Sequence, residues 1–232
     1  MPLVLWRPSP NHGPRRGGSL ADMIVLHYTA MQGCEAAAER LCDPAHEVSA
    51  HYLIGADGTV IQMVDEALRA WHAGAGHWRG VTDINSRSIG IELDNDGRAP
   101  FPEVQMRALE RLLPGMMRRW QVPPERIIGH SDIAPDRKSD PGPLFDWKRL
   151  AQAGLSIWPE DARRADGPVD PAEFRAALER FGYPPRLGDD LLLRAFRLRF
   201  RAGQGGPLDV ADMAMALDLA RRFGVDRKRR WA

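Results

Sequence analysis

Seven histidines punctuate the chain: His12, His27, His46, His51, His72, His77 and His130. Two of them close short apolar runs. Met23-Ile24-Val25-Leu26 leads into His27, and Ile127-Ile128-Gly129 leads into His130. A side chain at the end of a buried strand can emerge at the rim of a sheet, where loops close a site over it. Imidazole is also the commonest metal ligand. Either histidine alone reads most simply as a satisfied core residue. The stretch after His130 shifts the balance, because Ser131-Asp132-Ile133-Ala134-Pro135-Asp136-Arg137-Lys138-Ser139-Asp140-Pro141-Gly142 offers three carboxylates. Catalytic zinc takes three protein ligands and keeps a fourth position open. His27, His130 and one carboxylate make such a set. Spacing does not choose among Asp132, Asp136 and Asp140.

Two further groups have chemistry to offer. Glu92 lies inside the apolar run Ile89-Gly90-Ile91-Glu92-Leu93, where strand propensity disfavours a carboxylate. It reads either as an edge charge facing water or as a general base beside a metal-bound water. Lys138 is one of only three lysines among 32 basic residues. In an extended segment it points the same way as Asp140, two residues on. It reads either as a surface charge or as a cation aimed at a developing oxyanion. His46-Glu47 followed by His51 imitates the H-E-x-x-H zinc helix. Its i, i+5 spacing puts the two rings about 140° apart around a helix, so it is set aside.

The elements that must position these groups follow from periodicity. Residues 23–27, 51–54, 59–64, 88–93 and 126–130 read as strands. The second and third of these are joined by a tight turn at Asp57-Gly58. In the fourth, Ile89, Ile91 and Leu93 share one face, and Gly90 and Glu92 the other. Residues 35–42 read as a short helix and 102–120 as a long one, with a kink or break at Pro114. Residues 1–22 read as an irregular arm and 131–143 as a loop. The fold class is α/β (α+β), a mixed sheet flanked by helices. After a linker at 161–170, helices at 171–181, 188–201 and 209–223 suggest a small three-helix domain. The domain reading is therefore 1–160 as one unit that carries the candidate chemical groups behind an irregular N-terminal arm, 161–170 as linker, 171–225 as a helical domain, and 226–232 as a basic tail.

Composition bounds the function. The chain has 232 residues, 44% hydrophobic and 27% charged, with a net charge of +1. This is a globular composition and not a disordered one. Near-neutrality argues against nucleic acid as partner, and no apolar run reaches the length of a membrane span. Cys34 and Cys42 read as ordinary thiols, since two cysteines make no disulfide framework. The first residues show no basic segment before a long apolar run and no lipidation cysteine. Cytoplasmic residence is the expectation, with periplasm or outer membrane as the alternative if a leader precedes this sequence. A monomer is the default expectation.

Five segments carry a resemblance. They are His27-Tyr28-Thr29-Ala30, Val48 to Ile54 (V-S-A-H-Y-L-I), Ala70-Trp71-His72-Ala73-Gly74, Ser88 to Glu92, and Gly129 to Pro143. Together, in this order over residues 20–158, they resemble the zinc-dependent N-acetylmuramoyl-L-alanine amidases. This fold is shared with peptidoglycan-recognition proteins and phage amidase lysozymes. Residues 168–224 more loosely resemble the helical peptidoglycan-binding-like domain that follows the catalytic one in AmiD-type members. The resemblance implies Zn2+ held by His27, His130 and Asp140, with Glu92 as catalytic carboxylate and Lys138 assisting. It implies hydrolysis of the amide between the lactyl group of N-acetylmuramate and L-alanine, in peptidoglycan or in (anhydro)muropeptides. Tyr28, His51, Trp71, His72 and Asn95 match positions that line or support the cleft, and each is equally explicable as core. Alternatives are a non-catalytic peptidoglycan-recognition module, and a zinc peptidase acting on another cell-wall bond.

Overall fold

The computed structural model describes residues 4–160 and 167–225. Most of the expected linker and the whole basic tail lie outside the described residues. The strands are β1 (Val4–Trp6), β2 (His12–Gly13), β3 (Met23–Tyr28), β4 (Tyr52–Ile54), β5 (Val60–Gln62), β6 (Arg69–Ala70), β7 (Ser88–Leu93) and β8 (Ile127–Gly129). The helices are α1 (Cys34–Cys42), α2 (Ile84–Arg87), α3 (Glu103–Trp120), α4 (His130–Ile133), α5 (Trp147–Gln152), α6 (Pro171–Phe181), α7 (Asp189–Phe200) and α8 (Val210–Phe223). Six strands form one mixed sheet in the order β1-β5-β4-β7-β3-β8. Only the β4–β5 hairpin is antiparallel within it. No helix among the described residues is long and apolar enough to cross a membrane.

Strand alternation gives the sheet two unlike faces. Ile24, Leu26, Ile89, Ile91, Leu93 and Ile127 point to one side and pack on α3 through Met106, Leu109, Leu113 and Met116. On the other side Met23, Val25 and Ile128 share one core with Trp78, Ile84, Phe181, Tyr183 and Phe200. The C-terminal helices α6, α7 and α8 are thus continuous with the core beneath the sheet. Farther along that face, α1 covers Leu53 and Ile61 with Ala37, Ala38 and Leu41.

Three local expectations need correction. The segment before β3 is not wholly irregular: β1 adds in parallel to the sheet edge beside β5, and β2 pairs antiparallel with β6. Strands of two or three residues between prolines and glycines are too short to show a period. Pro114 does not break α3, which runs unbroken from Glu103 to Trp120. The burial of Leu109, Leu112, Leu113 and Met116 around Pro114 supplies packing that offsets its missing hydrogen bond. Finally, His130 does not end a strand. It opens the helical turn α4, because the Asp132 carboxylate folds back to accept from the Gly129 N–H at 2.8 Å. The C-terminal helices form within a residue or two of the expected bounds. Asp170 starts α6 by accepting from the N–H groups of Ala172 and Glu173.

Candidate metal centre and active site

β3 delivers His27 to its carboxyl end, α4 presents His130, and the loop after α4 returns with Asp140. The three donor atoms form a nearly equilateral triangle. His27 Nδ1 lies 3.0 Å from His130 Nδ1 and 2.9 Å from Asp140 Oδ2, and the third edge is 3.0 Å. Zinc bonds of about 2.0–2.2 Å at tetrahedral angles set donors about 3.3 Å apart. The triangle therefore matches what one such ion needs, after a small opening. Among the described residues this is the group of three whose metal-ligating atoms converge.

The far side of each imidazole fixes its tautomer. His130 Nε2 lies 3.0 Å from the Ala73 carbonyl, which can only accept. Nε2 therefore carries the proton and leaves the Nδ1 lone pair for a metal. His27 Nε2 meets His72 Nδ1 at 3.0 Å, and His72 Nε2 meets Ser88 Oγ at 3.1 Å. Ser88 in turn donates to the Ile84 carbonyl at 2.7 Å. With that carbonyl as terminus, the chain has one consistent sense: His27 donates to His72, His72 to Ser88, and Ser88 to Ile84. Gly90 makes room for it, since a Cβ there would lie 2.4 Å from the His72 ring.

Electrostatics agree with a ligand set. Burial, together with neighbouring His130, pushes His27 down to about 4. Burial also pushes His72 well below the usual histidine value. Burial works against ionisation of Asp140, but hydrogen bonds with His130 and His27 outweigh it and hold the carboxyl well below the usual range. Near neutral pH these groups are neutral imidazoles and a carboxylate, the protonation states that metal binding requires.

Glu92 is the register partner of His27 on the adjacent strand, so both side chains leave the sheet on the same face. Its Oε2 is shielded from water and has no hydrogen-bond partner. Burial pushes the Glu92 carboxyl well above its ordinary value; the charge on Asp140 adds to this and Lys138 opposes it. A carboxyl whose neutral form is favoured in this way holds a proton more readily than an ordinary exposed carboxylate, which is what proton transfer asks of it. His27, Glu92, His130 and Asp140 line a cleft of about 580 Å³, with Tyr28, Trp71, His72 and exposed Lys138 also contributing.

Not every expected cleft residue reaches it. His51 is fully buried; its Nδ1 accepts from the Gly90 N–H at 3.0 Å and its Nε2 lies 3.1 Å from the Leu68 carbonyl. It joins the start of β4 to β7. Asn95 accepts from the Gly97 N–H and donates to the Ala99 carbonyl, and so shapes the turn after β7. His72 borders the cleft, but both ring nitrogens are engaged behind it. Tyr28 lies in the wall and pairs its hydroxyl with Ser139 Oγ at 3.0 Å. Arg137 was not singled out by sequence. It lines the cleft and donates to the carbonyls of Ala73, at 2.7 Å, and Ala75, securing the loop that also receives His130. In a chain with 32 basic residues, mostly arginine, nothing marks that one.

Residues 17–143 match the family model for N-acetylmuramoyl-L-alanine amidase. The chain belongs to this family. His27, Glu92, His130, Lys138 and Asp140 all fall inside the matched stretch. The amidase is 37% identical over 236 residues to the N-acetylmuramoyl-L-alanine amidase AmiD of Escherichia coli K12, covering 88% of this chain and 84% of that protein. It is 36% identical over 160 residues to the 1,6-anhydro-N-acetylmuramyl-L-alanine amidase AmpD of Enterobacter cloacae, covering 62% of this chain and 86% of that protein. The structure of E. coli AmiD in complex with anhydro-N-acetylmuramic acid-L-Ala-D-gamma-Glu-L-Lys superposes with a TM-score of 0.80 and 35% identity. That likeness covers 95% of this amidase and 94% of the AmiD chain.

Proposed function

We propose that this amidase is a zinc enzyme that hydrolyses the amide between the lactyl group of N-acetylmuramate and L-alanine, with (anhydro)muropeptides as substrate. The observation that carries the reading is the donor triangle of His27, His130 and Asp140 beside the unpartnered carboxyl of Glu92. The similarity to AmiD, whose structure holds an anhydromuropeptide, supports the substrate class.

His27, His130 and Asp140 would hold the zinc ion, which would supply Lewis acidity to the site. Glu92 accepts the proton of the attacking water as the bond to the carbonyl carbon forms. Lys138 places its ammonium at the cleft mouth, where charge develops on the former carbonyl oxygen. That attraction is stronger in the transition state than in the planar ground state, which lowers the barrier. Glu92 then passes its proton to the leaving nitrogen of L-alanine as the C–N bond breaks. Tyr28 and Trp71 offer walls against which the substrate packs.

Mass spectrometry of products from purified protein and an anhydromuropeptide tests the reading, with and without a chelator. Free stem peptide beginning with L-alanine, lost on chelation, is expected. Intact substrate from zinc-loaded protein would overturn it.

A further inference from the structure

Asp132 lies two residues beyond His130 and does not face the cleft. It is fully buried, and its carboxylate is saturated by groups from three directions. The Gly129 N–H donates to Oδ2 at 2.8 Å. Arg199 Nη1, from α7, donates to the same oxygen at 2.8 Å, and the Tyr183 hydroxyl donates to Oδ1 at 2.7 Å. Arg199 also reaches back along β8: its Nη2 donates to the Ile127 carbonyl at 2.9 Å and to Ser156 Oγ at 3.3 Å. Its guanidinium lies 4.5 Å from the centre of the Trp147 ring. Arg199 and Tyr183 are 2% and 1% exposed.

Burying an ion pair this deeply is a poor route to stability, since apolar groups of the same volume often serve as well or better. Its placement is what calls for a reason. One guanidinium grips the backbone at Ile127 and the carboxylate at Asp132, and His130 lies between those two grips. The chain from β8 into α4 is thus pinned on both flanks of a metal-ligating residue. Both pinning side chains come from the C-terminal helical region, outside the 17–143 stretch that matches the amidase family.

We propose that Arg199 and Tyr183 are positioning residues for the metal centre, acting through Asp132 to hold the His130 turn in its ligating geometry. The C-terminal helices thereby complete the catalytic unit. The proposal rests on the zinc reading above. A guanidinium fork can hold two sites in fixed relation, which a lysine ammonium cannot.

The test uses the full-length protein, with zinc affinity measured by competition against a chromogenic chelator and unfolding of the metal-free form followed thermally. Tyr183→Phe removes one hydroxyl from a packed ring and is expected to fold. It should raise the zinc Kd about tenfold, the range seen when a group supporting a metal ligand is removed. kcat should fall with KM little changed. Arg199→Lys should do the same or more. Leu219→Ala, in α8 and fully buried, cuts the same core without touching Asp132. It should lower Tm further while leaving the zinc Kd within about twofold, as expected of separate sites. An unchanged Kd in Tyr183→Phe overturns the proposal. So does a Kd that follows Tm alike in Tyr183→Phe and Leu219→Ala, because the network would then serve only global stability. Wild-type protein that takes up no zinc would sink the metal reading itself.

Discussion

The two faces of the central sheet are built from the same strands and obey different rules. Toward α3, β3 and β7 present Ile24, Leu26, Ile89, Ile91 and Leu93, all fully buried. Each contributes about 1.5–3 kcal/mol by leaving water, and neighbours of similar size can substitute with modest loss. On the opposite face the same strands present His27, Ser88, Gly90 and Glu92. Here each group has an assigned partner or, like Glu92 Oε2, a conspicuous lack of one. Volume is forgiving on the first face. On the second, hydrogen-bond sense, charge and a missing Cβ decide whether the site forms. Adjacent residues can therefore differ completely in what they tolerate.

Substitutions on the two faces should separate metal loading from stability. The largest effect belongs to Asp140→Ala, which opens the donor triangle. Zinc content by elemental analysis should fall far below one ion per chain and turnover should vanish; a variant with full metal content would move the third ligand elsewhere. Glu92→Ala comes next. It should retain zinc and lose about 10²–10⁴ in kcat, the usual worth of a general acid–base group. Loss of zinc in that variant would contradict its role as proton carrier.

The pair Gly90→Ala and Ile91→Ala sharpens the contrast within one dipeptide. Ile91→Ala leaves a cavity under α3 and should cost about 2–5 kcal/mol by denaturant titration, with zinc content unchanged. Gly90→Ala drives a methyl group into the His72 ring and should weaken zinc binding through the His72–His27 contact. If both variants kept zinc equally well, the two faces would not be functionally distinct. The smallest effect is one of pH. Burial pushes His51 down to about 4, against about 6.5 in an unfolded chain. Its contribution is fully present above pH 6.5 and is lost as pH falls from about 6.5 toward 4, because the unfolded chain takes up a proton that folded His51 refuses. At pH 5 this amounts to about 2 kcal/mol. Metal-free His51→Asn should show a flatter loss of stability between pH 7 and 5 than metal-free wild type.

Much of this was legible because it is written in local periods. The α3 side of the sheet announces itself by alternation in 88–93 and by the 3- and 4-residue steps of Met106, Leu109, Leu113 and Met116. The choice among three aspartates was not legible. Within ten residues, Asp132 turns into the core toward Arg199, Asp136 faces water and Asp140 joins the histidines. An irregular loop has no period, so spacing says nothing about direction there. The resemblance to a known family supplied what spacing could not. His51 and Asn95 show the reverse: motif positions that the fold uses for bracing and turning, and not for lining the cleft.

Element types, the polar and apolar faces of the strands, and the residue types from which a metal centre could be drawn can all be read along the chain without coordinates. These depend on propensity and periodicity within some twenty residues. The folded chain alone reveals which nitrogen of each histidine is free, that Asp132 turns away from the triangle that Asp140 completes, and that Tyr183 and Arg199 reach back 51 and 67 residues to Asp132. Such contacts form when distant segments are packed against a common core. Their geometry depends on how the layers stack, and no local pattern encodes it.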